Sequence, residues 1–227
     1  MKFLSLKFVG FALAVSGITV QAAECREGFE NVSTLQSRGW SMQNNSDPLG
    51  STGWFQGKPG IFPAYSGATN SYVAADMDSA GSAGYPVLSN WLVTPEIVFG
   101  PGTTFGFYTR AFPGAANRVV VRLCIESGST NCTAPGPQSG DRGGFLADLA
   151  DINPEQSEDG YPSVWTHYQF TPMDGLPTSG RGRIAFHYYG FWQSSVPLGS
   201  AIGIDEVTVA GASGCPLTEF VFADGFD

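Results

Sequence analysis

Alternation of apolar and polar residues in short segments is the feature that most restricts how this 227-residue chain can fold. In the segment RVVVRLCIES, which begins at Arg118, four apolar side chains fall on one face. They are Val119, Val121, Leu123 and Ile125. Five more segments, rich in apolar and β-branched residues, begin at Asn90, Thr103, Ser163, Arg183 and Ala201. Period-two patterning with one apolar face is what an antiparallel sheet over a core requires.

The residues between these segments are typical of turns. The chain has 30 Gly and 15 Pro, together with 17 Phe, 8 Tyr and 5 Trp, which indicates many short strands joined by turns. Its 42% hydrophobic and 14% charged residues can build a core and exclude a disordered chain. Only GFLADLADI, near Phe145, has a helical period. We therefore predict an all-β fold, a single-domain antiparallel β-sandwich of jelly-roll type.

Residues 1–23 have the layout of a secretory signal peptide. Lys2 and Lys7 flank the start of an apolar run from Phe8 to Val20, and small residues follow it. The predicted regions are this signal peptide, a β-sandwich at 24–212 and a tail at 213–227. We expect an exported protein, extracellular or in the cell envelope. No later apolar run is long enough to cross a bilayer, so no membrane span is expected after cleavage.

The charge of the chain excludes one class of partner. Loss of the signal peptide removes two lysines and no acids, which changes the formal net charge from −9 to −11. Lys58 is then the only lysine. A surface of this sign repels nucleic acid, so we expect no nucleic-acid partner.

The four cysteines predict disulfides, because export favours oxidised thiols and four cysteines allow three pairings. We predict Cys124–Cys132, which closes a short excursion after a strand. We also predict Cys25–Cys215, because these residues flank the first and last strands, which lie together in a jelly roll. No CxxC or HExxH motif occurs, so a zinc site is not expected.

Two blocks, GSTGWFQG from Gly50 and SNWLVTP from Ser89, carry a resemblance to a known family. Together with the order of the other segments, they make residues 27–210 resemble the choice-of-anchor J domain. That family is similar to the cleaved-adhesin and MAM-like jelly rolls. The resemblance implies a β-sandwich, an extracellular or envelope location and a binding or surface role. It implies no known catalytic activity.

The stretch NNSDPLGSTGWFQG, from Asn44 to Gly57, has two interpretations. Its first part consists of turn formers, but it ends in Trp54, Phe55 and Gln56. The rings close one end of the sandwich in the first interpretation, and buried rings are commoner than recognition rings. In the second, exposed rings beside Asn and Gln stack on a sugar. Trp54, Phe55 and Gln56 are therefore the candidate ligand contacts.

The last strand carries an irregularity that bears on metal binding. Ile202 and Ile204 share a face, but Val207 and Val209 continue the pattern one residue late, which indicates a β-bulge at Asp205 and Glu206 or an exchange of faces at a sheet edge.

The resemblance implies a structural calcium between the first and last strands, as related jelly rolls have. The candidate ligands are Glu30, Asp205 and Glu206, whose hard carboxylate oxygens suit Ca²⁺.

Catalytic signatures are weak. The only histidines, His167 and His187, are expected at the surface or rim. No GxSxG or GxGxxG motif occurs. We predict a secreted or envelope adhesion or carbohydrate-binding module without catalysis, whose partner is a glycan or a surface protein. A structural envelope or matrix protein is the alternative. A glycan-active hydrolase comes third, because carboxylates are plentiful.

The final segment EFVFADGFD, from Glu219 to Asp227, resembles the short F-x-DGFE ending of otherwise unrelated exported bacterial proteins. We predict that it is a sorting or processing element. The alternative is an additional edge strand, since Phe220 and Phe222 alternate correctly for one.

Overall fold

The structure is a computed structural model that describes residues 24–136, 138–192, 198–214, 216 and 217, and the backbone of 219–221. The signal peptide, Cys215 and the end of the predicted sorting element lie outside the described residues. No helix within the described part of the chain has the length and apolarity that a membrane crossing needs.

The described residues form thirteen strands and four short 3-10 helices. The strands are β1 (Glu24–Glu27), β2 (Ser41–Asn44), β3 (Phe55–Gln56), β4 (Val73–Asp76), β5 (Val87–Val93), β6 (Ile97–Phe99), β7 (Thr104–Ala111), β8 (Val119–Ile125), β9 (Ala147–Ile152), β10 (Thr166–Phe170), β11 (Gly180–Phe191), β12 (Ala201–Ala210) and β13 (Glu219–Val221). The 3-10 helices are Val32–Thr34, Gln36–Arg38, Met77–Ser79 and Pro172–Asp174.

Two antiparallel sheets form the predicted sandwich. The first, sheet A, has the order β10-β7-β12-β1-β13, with β4 beside β12 and β3 beside β4. The second, sheet B, has the order β2-β5-β11-β8-β9, with β6 beside β11. The all-β sandwich predicted from the alternating segments is confirmed.

The core lies between the two sheets. Val119 and Val121 of β8 are fully buried there, on the face that their alternation assigned to them. Phe107 of sheet A meets Phe186 of sheet B edge to face, with ring centroids 4.8 Å apart. Large inward side chains from alternate positions therefore join the sheets, as the hydrophobic effect requires.

The segment GFLADLADI, despite its helical period, forms strand β9 over Ala147–Ile152. Residues of β9 pair with β8 at the edge of sheet B. Asp148 lies 2.5 Å from the Arg122 guanidinium, and Asp151 binds Arg118 at 2.6 and 2.8 Å. Cross-strand ion pairs and ladder hydrogen bonds, which a helical period does not reveal, stabilise β9 in the sheet.

The predicted β-bulge in β12 is present. The register against β7 shifts between Asp205 and Thr208, and Glu206 has a φ of 49°. Before the bulge β12 pairs with β4, and after it β12 pairs with β1. The bulge therefore lies where β4 and β1 meet end to end along one edge of β12.

The disulfide Cys124–Cys132 is present, as predicted. It belongs to a second small core on the outer face of sheet B, where Trp91 and Phe145 are fully buried. Cys25–Cys215 remains a prediction, because Cys215 lies outside the described residues.

The backbone of Glu219–Val221 pairs with β1, which is the edge-strand arrangement named above as the alternative for the tail. The sorting role of the tail stays a prediction.

Candidate functional site

Trp54, the first candidate ligand contact, packs in the core. Only 7% of its surface is exposed. Phe55 is half-buried beside a small cluster around Phe62 and Tyr72, and the Lys58 ammonium lies 4.5 Å from its ring centroid. The packing interpretation therefore describes Trp54, and its ring has little surface left for a ligand.

The amide of Gln56 is occupied by backbone groups. Its Oε1 accepts a hydrogen bond from the Val32 N–H at 2.9 Å. Its Nε2 donates to the carbonyl oxygens of Phe29 and Asn70, at 2.8 and 2.6 Å. Gln56 thus joins the segment after β1 to the segment before β4, and its role in this structure is structural.

The calcium candidates meet at the bulge of β12. Asp205 is fully buried and accepts hydrogen bonds from the N–H groups of Tyr65 and Ser66, at 2.9 and 3.2 Å. Burial raises the pKa of the Asp205 carboxyl to about 7. Glu206 accepts a hydrogen bond from Arg26 at 2.6 Å, and exposed Glu30 lies close enough for its charge to raise the pKa of Glu206, after the larger effect of burial.

The oxygen chemistry of these three carboxylates suits calcium, but two of them already have protein donors. No group of three or more His, Cys, Asp or Glu side chains arranged for a metal occurs in the part of the chain that the structure describes. Calcium binding would require the Arg26–Glu206 ion pair to open, so the calcium site remains a proposal.

His187 lies in the interior, so its predicted surface or rim position is wrong. Its ring stacks on Trp91 at 3.7 Å and is 2% exposed. The face of β11 that carries it is covered by the segment 126–146, which alternation within β11 could not reveal. His167, by contrast, is exposed on β10, as expected.

Ser89 and His187 resemble a nucleophile and its base, with Oγ and Nε2 2.9 Å apart. Arg122 Nε, however, donates to His187 Nδ1 at 3.1 Å, so the neutral ring carries its proton on Nε2 and donates to Ser89. Ser89 in turn donates to the Ser139 carbonyl. Burial, and then the nearby Arg122 charge, hold the pKa of His187 well below its usual value. This hydrogen-bond polarity is opposite to that of a nucleophile and its general base.

Exposed large apolar side chains concentrate at one end of the sandwich, where β4, β7 and β11 end and β5 and β12 begin. We call this cluster the aromatic end. It consists of Leu49, Met77, Tyr85, Phe112, Phe191 and Trp192, which are between 42% and 80% exposed. Large exposed apolar patches on soluble proteins mark interaction sites.

The rings of the aromatic end have fixed positions. The Trp192 and Tyr85 rings contact edge to face, with centroids 5.3 Å apart, and the backbone N–H of Trp192 donates to the Pro86 carbonyl at 3.1 Å. Gln156 bonds both the N–H and the carbonyl of Phe191, at 2.9 and 3.2 Å. The loops that expose these rings are therefore anchored to each other and to the sheets.

Three adjoining cavities lie along the aromatic end, and each is lined by at least one of its residues. The first, of about 420 Å³, lies between Asn44–Asp47, Leu49 and Ser139. The second, of about 400 Å³, shares Leu49 and is lined by Asp78 and Gly81. A third, of about 250 Å³, is also lined by Asp78 and Gly81, and it has Met77, Pro86 and Trp192 in its wall. The arrangement offers rings, carboxylates and small residues along a continuous surface.

Sequence reasoning missed most of this site. It singled out the stretch from Asn44 to Gly57, whose polar first half lines two of the cavities, but it assigned ligand contact to the ring-bearing second half. The sequence feature that could have indicated this site is the pair Phe191–Trp192. These two large rings come at the end of a predicted strand, and the residues after them, 193–200, are mostly of the types that favour turns.

Comparison with solved structures places the fold beside adhesin domains. The K1 cleaved adhesin domain of Lys-gingipain from Porphyromonas gingivalis W83 is 19% identical, with a TM-score of 0.54 over 84% of this chain and 99% of that chain. The K2 cleaved adhesin domain of Lys-gingipain is 18% identical, with a TM-score of 0.52 over 83% and 99%. These similarities show a shared β-sandwich fold and do not show a shared ligand.

No protein-family model matches the chain, and no curated protein matches it. The resemblance to the choice-of-anchor J family therefore stays a prediction.

Proposed function

We propose that the protein is a secreted or cell-envelope β-sandwich module of the adhesion or carbohydrate-binding type, without catalytic activity. The observation that supports this most is the aromatic end. Trp192 and Tyr85 are held in place by neighbouring loops yet present 42% and 80% of their surface to solvent. Loops placed on a rigid β scaffold commonly carry recognition residues.

A glycan is the proposed partner because of the mixture of groups at this end. Apolar faces of sugar rings stack on aromatic side chains, and sugar hydroxyls need polar neighbours. Asp78 and Ser82 line the same cavity as Trp192. Asp47 and Gln138 line the cavity on the other side of Leu49. Sites of this kind combine apolar walls with a few polar groups that fix orientation.

The less favoured functions have less support. A hydrolase using Ser89 and His187 is opposed by the direction of their hydrogen bond. A structural envelope or matrix protein would not require rings to be exposed together, although it is the expected conclusion if no ligand is found.

A glycan array probed with the mature protein tests the proposal. We expect binding that Trp192→Ala weakens at least about tenfold, because aromatic residues at the centre of a contact commonly contribute most of its energy. The matched control is Met173→Ala, which removes a 97% exposed apolar side chain from the opposite end. Equal loss in both variants, or no loss in Trp192→Ala, would contradict the assignment of the site.

Two further outcomes of this experiment decide between functions. Retention of a surface protein instead of any glycan, with the same dependence on Trp192, would establish adhesion to protein. Binding to neither would support the structural alternative. Export is tested separately by N-terminal sequencing of the mature protein, which should begin near residue 24.

A further inference from the structure

The outer face of sheet B is closed by a cover, which comprises residues 126–136 and 138–146. Near its start, Cys132 is bonded to Cys124 of β8. Further along, Phe145 packs against Trp91 of β5, with ring centroids 5.7 Å apart, and both rings are fully buried. The disulfide therefore fixes only the first part of the cover, and non-covalent contacts hold the part that follows.

A buried chain of hydrogen bonds connects the second part of the cover to β8 and β11. Arg122 Nε donates to His187 Nδ1 at 3.1 Å, and His187 Nε2 donates to Ser89 Oγ at 2.9 Å. The Ser89 hydroxyl in turn donates to the Ser139 carbonyl of the cover, also at 2.9 Å. The side chains of Arg122, His187 and Ser89 are at most 2% exposed. The N–H and O–H groups of this chain all have acceptors only while the imidazole of His187 is neutral.

Protonation of His187 would break this chain at one end. The second proton would occupy Nδ1, which now accepts from Arg122, so that two N–H donors would point at each other. It would also place a positive charge next to the Arg122 guanidinium in the interior. A buried polar group or charge without a partner is destabilising, so the protonated ring and the closed cover disfavour each other.

The other charged groups around His187 do not relieve this conflict. After the larger effect of burial, the charges that lower the pKa of His187 belong to arginines: Arg122, Arg142 and Arg118. Arg142 lies on the cover itself, and the carboxylates of Asp148 and Asp151 on β9 already form ion pairs with the other two. Tyr189 of β11, with its ring centroid 4.5 Å from that of His187, stays neutral because burial raises its pKa. The groups of β5 that contact the ring are uncharged.

We propose that the cover is an acid-sensitive switch: uptake of a proton by His187 releases residues 138–146 from sheet B, while the disulfide keeps the start of the cover attached. Release lets water reach the imidazolium and separates it from Arg122. It also withdraws Gln138 and Ser139 from the wall of the cavity of about 420 Å³ at the aromatic end. Acid therefore changes the shape of one of the three cavities along the proposed binding site, which goes beyond the proposed function.

Amide exchange of the protein alone, followed by mass spectrometry at about pH 5 and about pH 7, tests the inference. Opening takes up a proton below the usual pKa of histidine, 6.5, so the opening equilibrium should rise by up to about tenfold for each unit that the pH falls. After correction for the intrinsic pH dependence of exchange, the protection of residues 138–146 should fall by the same factor.

Urea below the unfolding transition separates opening of the cover from unfolding of the domain. Exchange in residues 138–146 should hardly respond to urea, because local opening exposes little surface. Exchange in β12 of sheet A should become faster, since it requires a much larger surface to be exposed.

Variants give the controls. His187→Gln can accept from Arg122 and donate to Ser89 but does not titrate, so the pH dependence of the cover should vanish. Ser89→Ala removes the bond to Ser139, so the cover should exchange faster at both pH values. His167→Gln, at an exposed histidine of β10, should behave as wild type.

A wild-type cover with the same corrected protection at both pH values would overturn the inference, whether or not the variants fold. Equal urea dependence in the cover and in β12 would also overturn it, because the cover would then open only when the whole domain unfolds. An unchanged pH dependence in His187→Gln would have the same meaning. None of these measurements involves a ligand, so their failure would leave the proposed function standing.

Discussion

At the scale of single residues, the positions of Trp54 and Gln56 differ from those of the exposed rings. The two belong to one sequence block, but the structure uses both inside: the indole in the core and the amide as a bridge between backbone groups. The exposed rings of Tyr85 and Trp192 are far apart in the sequence. Burial therefore separates residues that serve stability from residues available for binding.

We predict that Trp54→Ala lowers the free energy of unfolding by about 3–5 kcal/mol, as large-to-small changes at buried aromatic positions do. Urea denaturation measures the change. Any loss of ligand affinity should disappear when binding is measured on the folded fraction alone. A variant that keeps full stability but no longer binds would restore Trp54 as a ligand contact.

His187 predicts a pH dependence of stability. Because its pKa in the folded protein lies well below 6.5, the unfolded chain takes up a proton below pH 6.5 that the folded protein refuses. Stability should therefore fall as the pH decreases below 6.5, by up to about 1.4 kcal/mol per pH unit. At higher pH both states are neutral and this contribution vanishes.

Urea denaturation of wild type and His187→Gln between pH 5 and about 7 measures this effect. The stability difference between the two proteins should shift against the wild type as the pH falls. His167→Gln, which changes an exposed histidine on the other sheet, is the matched control. A pH-independent difference for His187→Gln would show that the buried ring does become protonated.

At the scale of elements, the disulfide and the segment that follows β8 explain why the outer face of sheet B is buried from solvent around Trp91. Cys124 lies near the end of β8, and Cys132 lies in the segment that covers Trp91. The Ser139 carbonyl accepts a hydrogen bond from Ser89 of β5, and the Gly136 carbonyl accepts one from Asn45. A short covalent loop and a few hydrogen bonds thus fix the cover.

Replacing Cys124 and Cys132 together by Ala should lower the free energy of unfolding by about 2–3 kcal/mol, the value that the chain-entropy model gives for so short a loop. Amide exchange in residues 126–136 should become faster, whereas binding through Trp192 should persist. Urea denaturation and exchange mass spectrometry provide the two measurements. Unchanged exchange in this segment would mean that its hydrogen bonds suffice without the disulfide.

Sequence reasoning succeeded for elements whose pattern is local. Alternation in β8 placed Val119 and Val121 correctly, and the slipped alternation in β12 located the bulge at Asp205. It failed where the outcome depends on distant segments. The burial of His187 depends on a cover that follows β8, and β9 is held by partners on β8 that a helical period does not take into account.

At the scale of the whole molecule, the aromatic end was beyond reach for the same reason. Its rings, Tyr85, Phe112, Phe191 and Trp192, come from three separate segments, and only the sandwich topology brings Tyr85 beside Trp192. The alternation in the strands predicts which faces are buried, but it does not determine which loop ends are adjacent. That information lies in the order of strands in the two sheets.

The proposed calcium also belongs to this scale, because it would connect the first and last strands. We expect Ca²⁺ to raise the melting temperature, and a hundredfold excess over the dissociation constant would add about 2.7 kcal/mol. Asp205→Asn should abolish the increase. An identical melting curve with Ca²⁺ and with EDTA would remove the site.

The pairing of β1 with both β12 and β13 has a mechanical consequence. Glu24 lies opposite Ala210 on one side and Val221 on the other, at the end of sheet A that is remote from Trp192. A tether at β1 or β13 would therefore leave the aromatic end, the proposed binding site, pointing away from the surface that holds it. Tension between tether and ligand would run parallel to β12, so that its ladder bonds are loaded together in shear instead of being opened one at a time. Such a geometry would suit the proposed adhesion function, in which a bound ligand has to be held against flow.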